Sequence, residues 1–274
     1  MSNFKKLSFN ITTSLLNKLI SIISGLLISR EVLFKFGEEM FGLVSSIRNI
    51  IGYLGLLEIG LSGSVLYLLY QHFSKCEYPE IKFILNYLKR KYKFVGSIYT
   101  IILVFLAIIY SLTSLSFVKS NIDIFLLVIS LGSIKVIDFY LVAKYRVLLL
   151  ADQKDYINNI CSIIQIIIFT ILALLILHNN MNLYYVYGML VPSNLIRYTL
   201  IKFYWEKIYG KNIKNTNTSL HVVIDQQVSV VKFELLWLVL STYVILVLTL
   251  NESFKEIAYF GVQFMIFGNL IMMI

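Results

Sequence analysis

Charge, proline, cysteine and histidine are all scarce in this chain, and each scarcity removes a class of protein. Only 14% of the 274 residues are Asp, Glu, Lys or Arg, against roughly 25% in soluble domains, which is too little to cover a water-facing surface. Just two prolines, Pro79 and Pro192, interrupt the whole length, so long helices meet few breakers. The two cysteines, Cys76 and Cys161, fall on the side of the predicted topology where disulfides do not form. His72, His178 and His221 are scattered along the chain, and no metal site is expected. A Gly-rich phosphate loop and a nucleophile motif are also missing. No connector is long enough to fold as a catalytic domain, so neither a cofactor nor an enzymatic activity is expected.

What is abundant is apolar. Hydrophobic residues make up 58% of the chain and the mean hydropathy is +0.80. The apolar runs reach the ~20 residues needed to cross a ~30 Å hydrocarbon core, where only internally hydrogen-bonded helices are admissible. Eight segments are predicted, near 11–30, 42–70, 94–117, 121–147, 157–178, 182–204, 233–250 and 256–274. The first is long, follows Lys5 and Lys6 and meets Arg30 and Glu31 without a small-residue cleavage site, so it is expected to be retained.

The connectors alternate in charge. Lys5 and Lys6, then Lys75, Lys82, Lys89, Arg90, Lys91 and Lys93, then Lys144, Arg146 and Lys154, then Lys207, Lys211, Lys214 and Lys232 form the basic set. The intervening connectors hold Lys35 against three glutamates, Lys119 alone, no Lys or Arg at 178–182, and Lys255 alone. Lys and Arg accumulate in cytoplasmic loops, so the amino terminus and the 71–93, 148–156 and 205–232 connectors are predicted inside a bacterial plasma membrane. The net charge of +9 is then divided among loops facing anionic lipid headgroups, and no nucleic-acid partner is needed.

Polar residues inside these segments are costly and mark candidate sites. On the first helix Ser14, Lys18, Ser21, Gly25 and Ser29 recur at helical steps on one stripe. On the second, Arg48 and Glu58 lie about 15 Å apart along the axis. The fourth carries Lys135 and Asp138 at i, i+3, the fifth Asn158, Ser162 and Gln165, and the sixth Pro192, Ser193, Asn194 and Arg197. Two interpretations stand for most of them. They line a hydrated cavity, or they are snorkelling anchors (Arg48, Arg197), an internal ion pair (Lys135 with Asp138), a static kink (Pro192), close-packing contacts (Gly25, Gly52, Gly55, Gly60) and an interfacial aromatic belt (Tyr184, Tyr185, Tyr187).

Residues 22–91 carry a resemblance. The runs Ile-Ser-Gly-Leu-Leu-Ile-Ser-Arg at 23–30, Phe-Gly at 36–37, Phe-Gly-Leu-Val-Ser-Ser-Ile at 41–47 and Leu-Leu-Glu-Ile-Gly-Leu at 56–61 resemble the opening of the bacterial polysaccharide (O-antigen) flippase family, within the multidrug/oligosaccharidyl-lipid/polysaccharide exporter superfamily. The basic stretch 78–91 and the Ala-Asp-Gln-Lys turn at 151–154 are similar to it as well. The likeness covers roughly the first 160 residues and has no catalytic signature. It implies an all-α polytopic transmembrane bundle that moves a polyprenyl-pyrophosphate-linked repeat unit outward for surface polysaccharide or lipopolysaccharide biosynthesis. Lys18 and Arg48 would then attract the anionic cargo, Glu58 or Asp138 would couple a proton or sodium ion, and Lys135 and Arg197 would complete the cavity.

Such transporters are pictured as two six-helix lobes that rock against each other. About eight helices are expected here: a six-helix lobe over 1–206, a linker over 207–232, and two helices of a truncated second lobe over 233–274. That count leads to the expectation of a fragment, whether an incomplete gene, half of a split transporter with a second chain as partner, or an inactive remnant. An integral-membrane polysaccharide-assembly enzyme and a non-transporting scaffold are the alternative functions.

Overall fold

The computed structural model describes residues 3–55, 59–113 and 120–214. Among them every element is helical: α1 (Asn3–Leu54), α2 (Ile59–Ser74), α3 (Tyr78–Thr113), α4 (Asn121–Ile137), a π-helical turn (Asp138–Val142), α5 (Ala143–Ala151), α6 (Asp155–His178), α7 (Leu183–Gly188) and α8 (Leu190–Lys214). The π turn joins α4 and α5 into one rod, and α7 and α8 are separated only by Met189. Four helices are long and apolar enough to cross a membrane, over Lys5–Gly52, which contains the break at Gly37, Tyr78–Leu112, Asn121–Ala151 and Asp155–His178.

Contacts between connectors show how the rods run. Asn10 at the start of α1 donates from Nδ2 to the Gln153 carbonyl (3.0 Å) and accepts from the Tyr156 N–H (2.8 Å). Phe9 packs edge-on against Tyr156, and Phe73 at the end of α2 packs against Tyr209 near the end of α8. At the other end, the Lys35 ammonium reaches the Leu177 carbonyl and Asn180 Oδ1. There Ser46 meets the Tyr110 hydroxyl at 2.9 Å, and the Arg48 guanidinium sits 4.9 Å over the Tyr187 ring. The chain therefore passes between two ends six times: out in the first arm of α1, back through its second arm and α2, out in α3, back in α4–α5, out in α6 and back in α7–α8. Among the described residues, the connectors expected on one side of the membrane gather at one end, and those expected on the other side gather at the opposite end.

Several boundaries differ from the sequence expectation. Six helical rods are found among the described residues, and the expected segments 233–250 and 256–274, which would bring the count to about eight, lie outside them. The predicted helix 42–70 is described as two pieces, 42–54 and 59–70. Gly37, at φ 82° and ψ 174°, breaks α1 in a conformation that residues with a Cβ avoid, and it turns the first pass into the second. The basic stretch 78–93 is helical as the opening turns of α3, because Ile81, Ile84, Leu88 and Tyr92 give it a buried face at helical spacing. Likewise α8 continues past residue 206 to Lys214.

Each rod buries one stripe. On α6 it is Ile157, Cys161, Gln165, Phe169, Ala173 and Leu177, at strict four-residue steps, while Ile160, Ile164, Ile167, Ile171 and Leu175 point outward. An outward face of isoleucine and leucine, with Gln165, Asn158 and Asn159 buried instead, is not the pattern of a water-soluble helix and suits a lipid surround. Among the described glycines the closest approaches are on α3 and its neighbours: a Cβ on Gly132 of α4 would lie 2.2 Å from Leu103 Cδ1, and one on Gly96 would meet Tyr140 of the π turn at 3.1 Å. The Tyr99 hydroxyl donates to the Gly132 carbonyl across this contact (3.2 Å). Gly52, expected to be a packing glycine, faces open space, and Gly55 makes only ordinary contact with Lys135. Pro192 lies in the first turn of α8, three residues past the interruption of the α7–α8 rod at Met189, where its missing N–H costs no hydrogen bond within α8.

Candidate functional site

The densest polar chemistry lies where the π turn interrupts the α4–α5 rod. Asp138 opens that turn and is buried. In a regular helix, residues eight apart are about 80° out of register, but absorbing one extra residue in the π turn leaves about seven α-helical steps and a mismatch of only about 20°. Arg146 thereby comes onto the face of Asp138, and its Nη1 lies 2.7 Å from Asp138 Oδ2. From α8, Arg197 Nη1 approaches Asp138 Oδ1 at 3.8 Å while its Nη2 donates to Asn158 Oδ1 at 2.8 Å. Asn158 and Asn159 pass the network on to Asp155, at 3.2 and 3.3 Å. Asp155 lies in the first turn of α6, where the helix dipole favours a carboxylate. Asn194 ties α8 to α4 through the Ile134 carbonyl (3.0 Å).

Two arginines and two aspartates thus meet on α5, the π turn, α6 and α8. The match is not complete. Asp138 Oδ1, Arg197 Nε and Asn194 Oδ1 are buried without a hydrogen-bond partner among the described residues. Buried polar atoms are ordinarily paired, and unpaired ones identify a place where another arrangement or a bound group would be better satisfied.

Of the six residues singled out in the sequence, the structure brings Asp138 and Arg197 together. Arg197 is no headgroup anchor: its side chain is 12% exposed and bound to partners on two other elements. Asp138 pairs with Arg146 and Arg197, and no Lys135–Asp138 ion pair occurs among the described residues. Lys135 instead extends along Gly55, which its Nζ would meet at 3.6 Å from an added Cβ. Arg48 stands apart at the opposite end against Tyr187, a buried ring rather than part of an exposed belt, whereas Tyr185 is exposed. Lys18 is half-buried on α1, and the face of α1 turned toward α6 carries Thr13, Ser24 and Ile28. Glu58 lies outside the described residues. Sequence reasoning placed Arg146 in a basic connector. Only the π turn, invisible to a search for helical periodicity, puts it at the site.

Two other features frame the network. At the end where Asn10 sits, Asp152 accepts from Tyr209, Lys154 donates to the same phenol oxygen (2.9 Å), and Lys154 and Asp152 pair at 2.6 Å. Burial, then the hydrogen bond to Asp152 and its charge, hold the Tyr209 phenol well above the ordinary tyrosine range, so it remains a donor. At the break in α1, an open hollow of about 670 Å³ is lined by Arg30, Glu31, Phe34 and Glu38 among others. No protein-family model matches the chain, and no curated protein or solved structure matches it either.

Proposed function

We infer that the chain is a membrane transporter of the polysaccharide-flippase kind, moving a polyprenyl-pyrophosphate-linked oligosaccharide across a bacterial plasma membrane with its amino terminus in the cytoplasm. The observation that carries this reading is the Asp138–Arg146–Arg197 network inside a bundle with four helices of membrane-crossing length. A charge at the centre of a membrane helix costs about 2.5–3.5 kcal/mol on the insertion scale, and such residues commonly mark a substrate or ion path. Asp138 Oδ1, which has no hydrogen-bond partner among the described residues, supports a role for Asp138 in taking up a proton or sodium ion. The cargo class rests on the resemblance carried by residues 23–30, 41–47 and 56–61; Lys18 and Arg48 are the groups assigned to the cargo, and Glu58 shares the ion-coupling role with Asp138.

The test is complementation of surface polysaccharide display in a flippase-deficient bacterium, with membrane levels followed by immunoblot. Lys18→Ala, Glu58→Ala and Asp138→Asn are each expected to abolish display while the protein remains in the membrane. Display unaffected by all three substitutions would replace the transport reading with that of a non-transporting scaffold.

A further inference from the structure

At the end of the bundle where the basic connectors meet, four lysines from three helices converge on one place. Lys89 and Lys93 stand one turn apart on α3, Lys144 is on α5 and Lys202 on α8. α3 packs against both α5 and α8 at this end, and Lys89, Lys202 and Lys93 are the cations whose fields act on the Lys144 ammonium. Two of the four are held by aromatic rings: Lys144 Nζ lies 4.7 Å from the Tyr145 centroid and Lys202 Nζ 5.8 Å from that of Tyr198, and the two rings are themselves 6.4 Å apart. A ring positions an ammonium without cancelling its charge. None of the four makes an ion pair among the described residues. Glu206, whose field reaches Tyr145, is the carboxylate on this side of α8, and it is not within ion-pair distance of any of them. Like charges gathered from three elements and left without a carboxylate are stabilised by an anion from outside the chain.

The surroundings say where that anion is carried. On α3 the exposed face changes at Lys93: beyond it come Phe94 (66% exposed), Ile101, Phe105 and Leu112. On α8 the exposed apolar face of Leu195, Leu200 and Phe203 (71% exposed) ends beside Lys202, where Glu206 and Lys207 begin. Both helices therefore set their lysines where an apolar surface gives way to a polar one, which is the level of phosphate headgroups. Basic pockets between membrane helices are suited to multiply charged headgroups.

We propose that Lys89, Lys93, Lys144 and Lys202 form a binding site for the headgroup of a doubly anionic phospholipid, its two phosphates shared among the four ammonium groups. The site shares no residue with the Asp138 network and does not depend on the transport reading. Bound lipid would hold the ends of α3, α5 and α8 together by neutralising their mutual repulsion.

Native mass spectrometry of the full chain in a non-ionic detergent tests this, with tetraoleoyl cardiolipin, dioleoyl phosphatidylcholine and inorganic pyrophosphate as separate probes. Cardiolipin is expected to be retained about tenfold better than phosphatidylcholine, and Lys144→Gln/Lys202→Gln to lower its retention roughly tenfold or more. Lys89→Gln/Lys93→Gln, on an exposed face where folding is not at issue, is expected to lower it as well. The arginine replacements Lys144→Arg/Lys202→Arg are expected to keep it, and Lys5→Gln/Lys6→Gln, with the same loss of charge elsewhere, to leave it unchanged. Retention indifferent to the four lysines, equal retention of phosphatidylcholine, or binding of pyrophosphate without retention of cardiolipin would each overturn the proposal.

Discussion

Around Asp138 the bundle buries charge, whereas along the first arm of α1 it exposes leucine. The carboxylate of Asp138 is only 6% exposed and is enclosed by two arginines, while Leu7, Leu15, Leu16, Leu19 and Ile23 are 40–57% exposed on a helix that packs chiefly on α6. In water both regions would be unfavourable, one for desolvated ions and the other for apolar area. In lipid the second is neutral and the first is the whole of the constraint. Stability in such a chain is therefore concentrated at polar contacts and close helix crossings, and apolar side chains on the rim contribute little.

That contrast sets the order of expected effects, read as thermal unfolding in detergent. Asp138→Ala leaves Arg146 and Arg197 without their carboxylate, a loss of about 3–5 kcal/mol, and replacing all three by leucine recovers most of it. Full stability in Asp138→Ala would break the comparison at its strongest point. Gly132→Ala forces a methyl group against Leu103 at the α3–α4 crossing and is expected to cost about 1–3 kcal/mol. Gly37→Ala meets no neighbour within 4 Å, so its cost is conformational, on the order of 1–2 kcal/mol. Lys35→Met removes the cation from the last carbonyls of α6 and is expected to cost about 0.5–1 kcal/mol. Leu19→Ala, on the exposed side of α1, is expected to stay within about 0.5 kcal/mol. A Leu19 effect as large as that of Gly132 would mean that the outer face of α1 is a protein contact.

The passes themselves were legible in the sequence because apolar length and the alternation of Lys and Arg report the solvent on each side of a segment. Asn10 beside Gln153 and Lys35 beside Asn180 are contacts that this alternation anticipates. What was not legible came from backbone departures. Counting i, i+3 steps paired Asp138 with Lys135, and the π turn pairs it with Arg146 instead. Charge suggested a loop over 78–93, although Ile81, Ile84, Leu88 and Tyr92 already carried the helical stripe. Glycines were weighed on the first two segments, while the close approach occurs at Gly96 and Gly132, where the size of the facing Leu103 and Tyr140 decides it. Arg197 near a helix end read as an anchor because its partners Asp138 and Asn158 are distant in sequence.

The most direct test of the account is the sidedness of two single cysteines. Cys76 is exposed in the turn between α2 and α3, at the same end as Tyr209, and Asn180 lies at the opposite end beside Lys35. With Cys161 replaced by serine, the chain is labelled in intact and lysed cells with a membrane-impermeant maleimide, once with the native Cys76 and once with Asn180→Cys in a Cys76→Ser background. The account predicts that Asn180→Cys reacts in intact cells and Cys76 only after lysis. Reaction of both from the same side would contradict it.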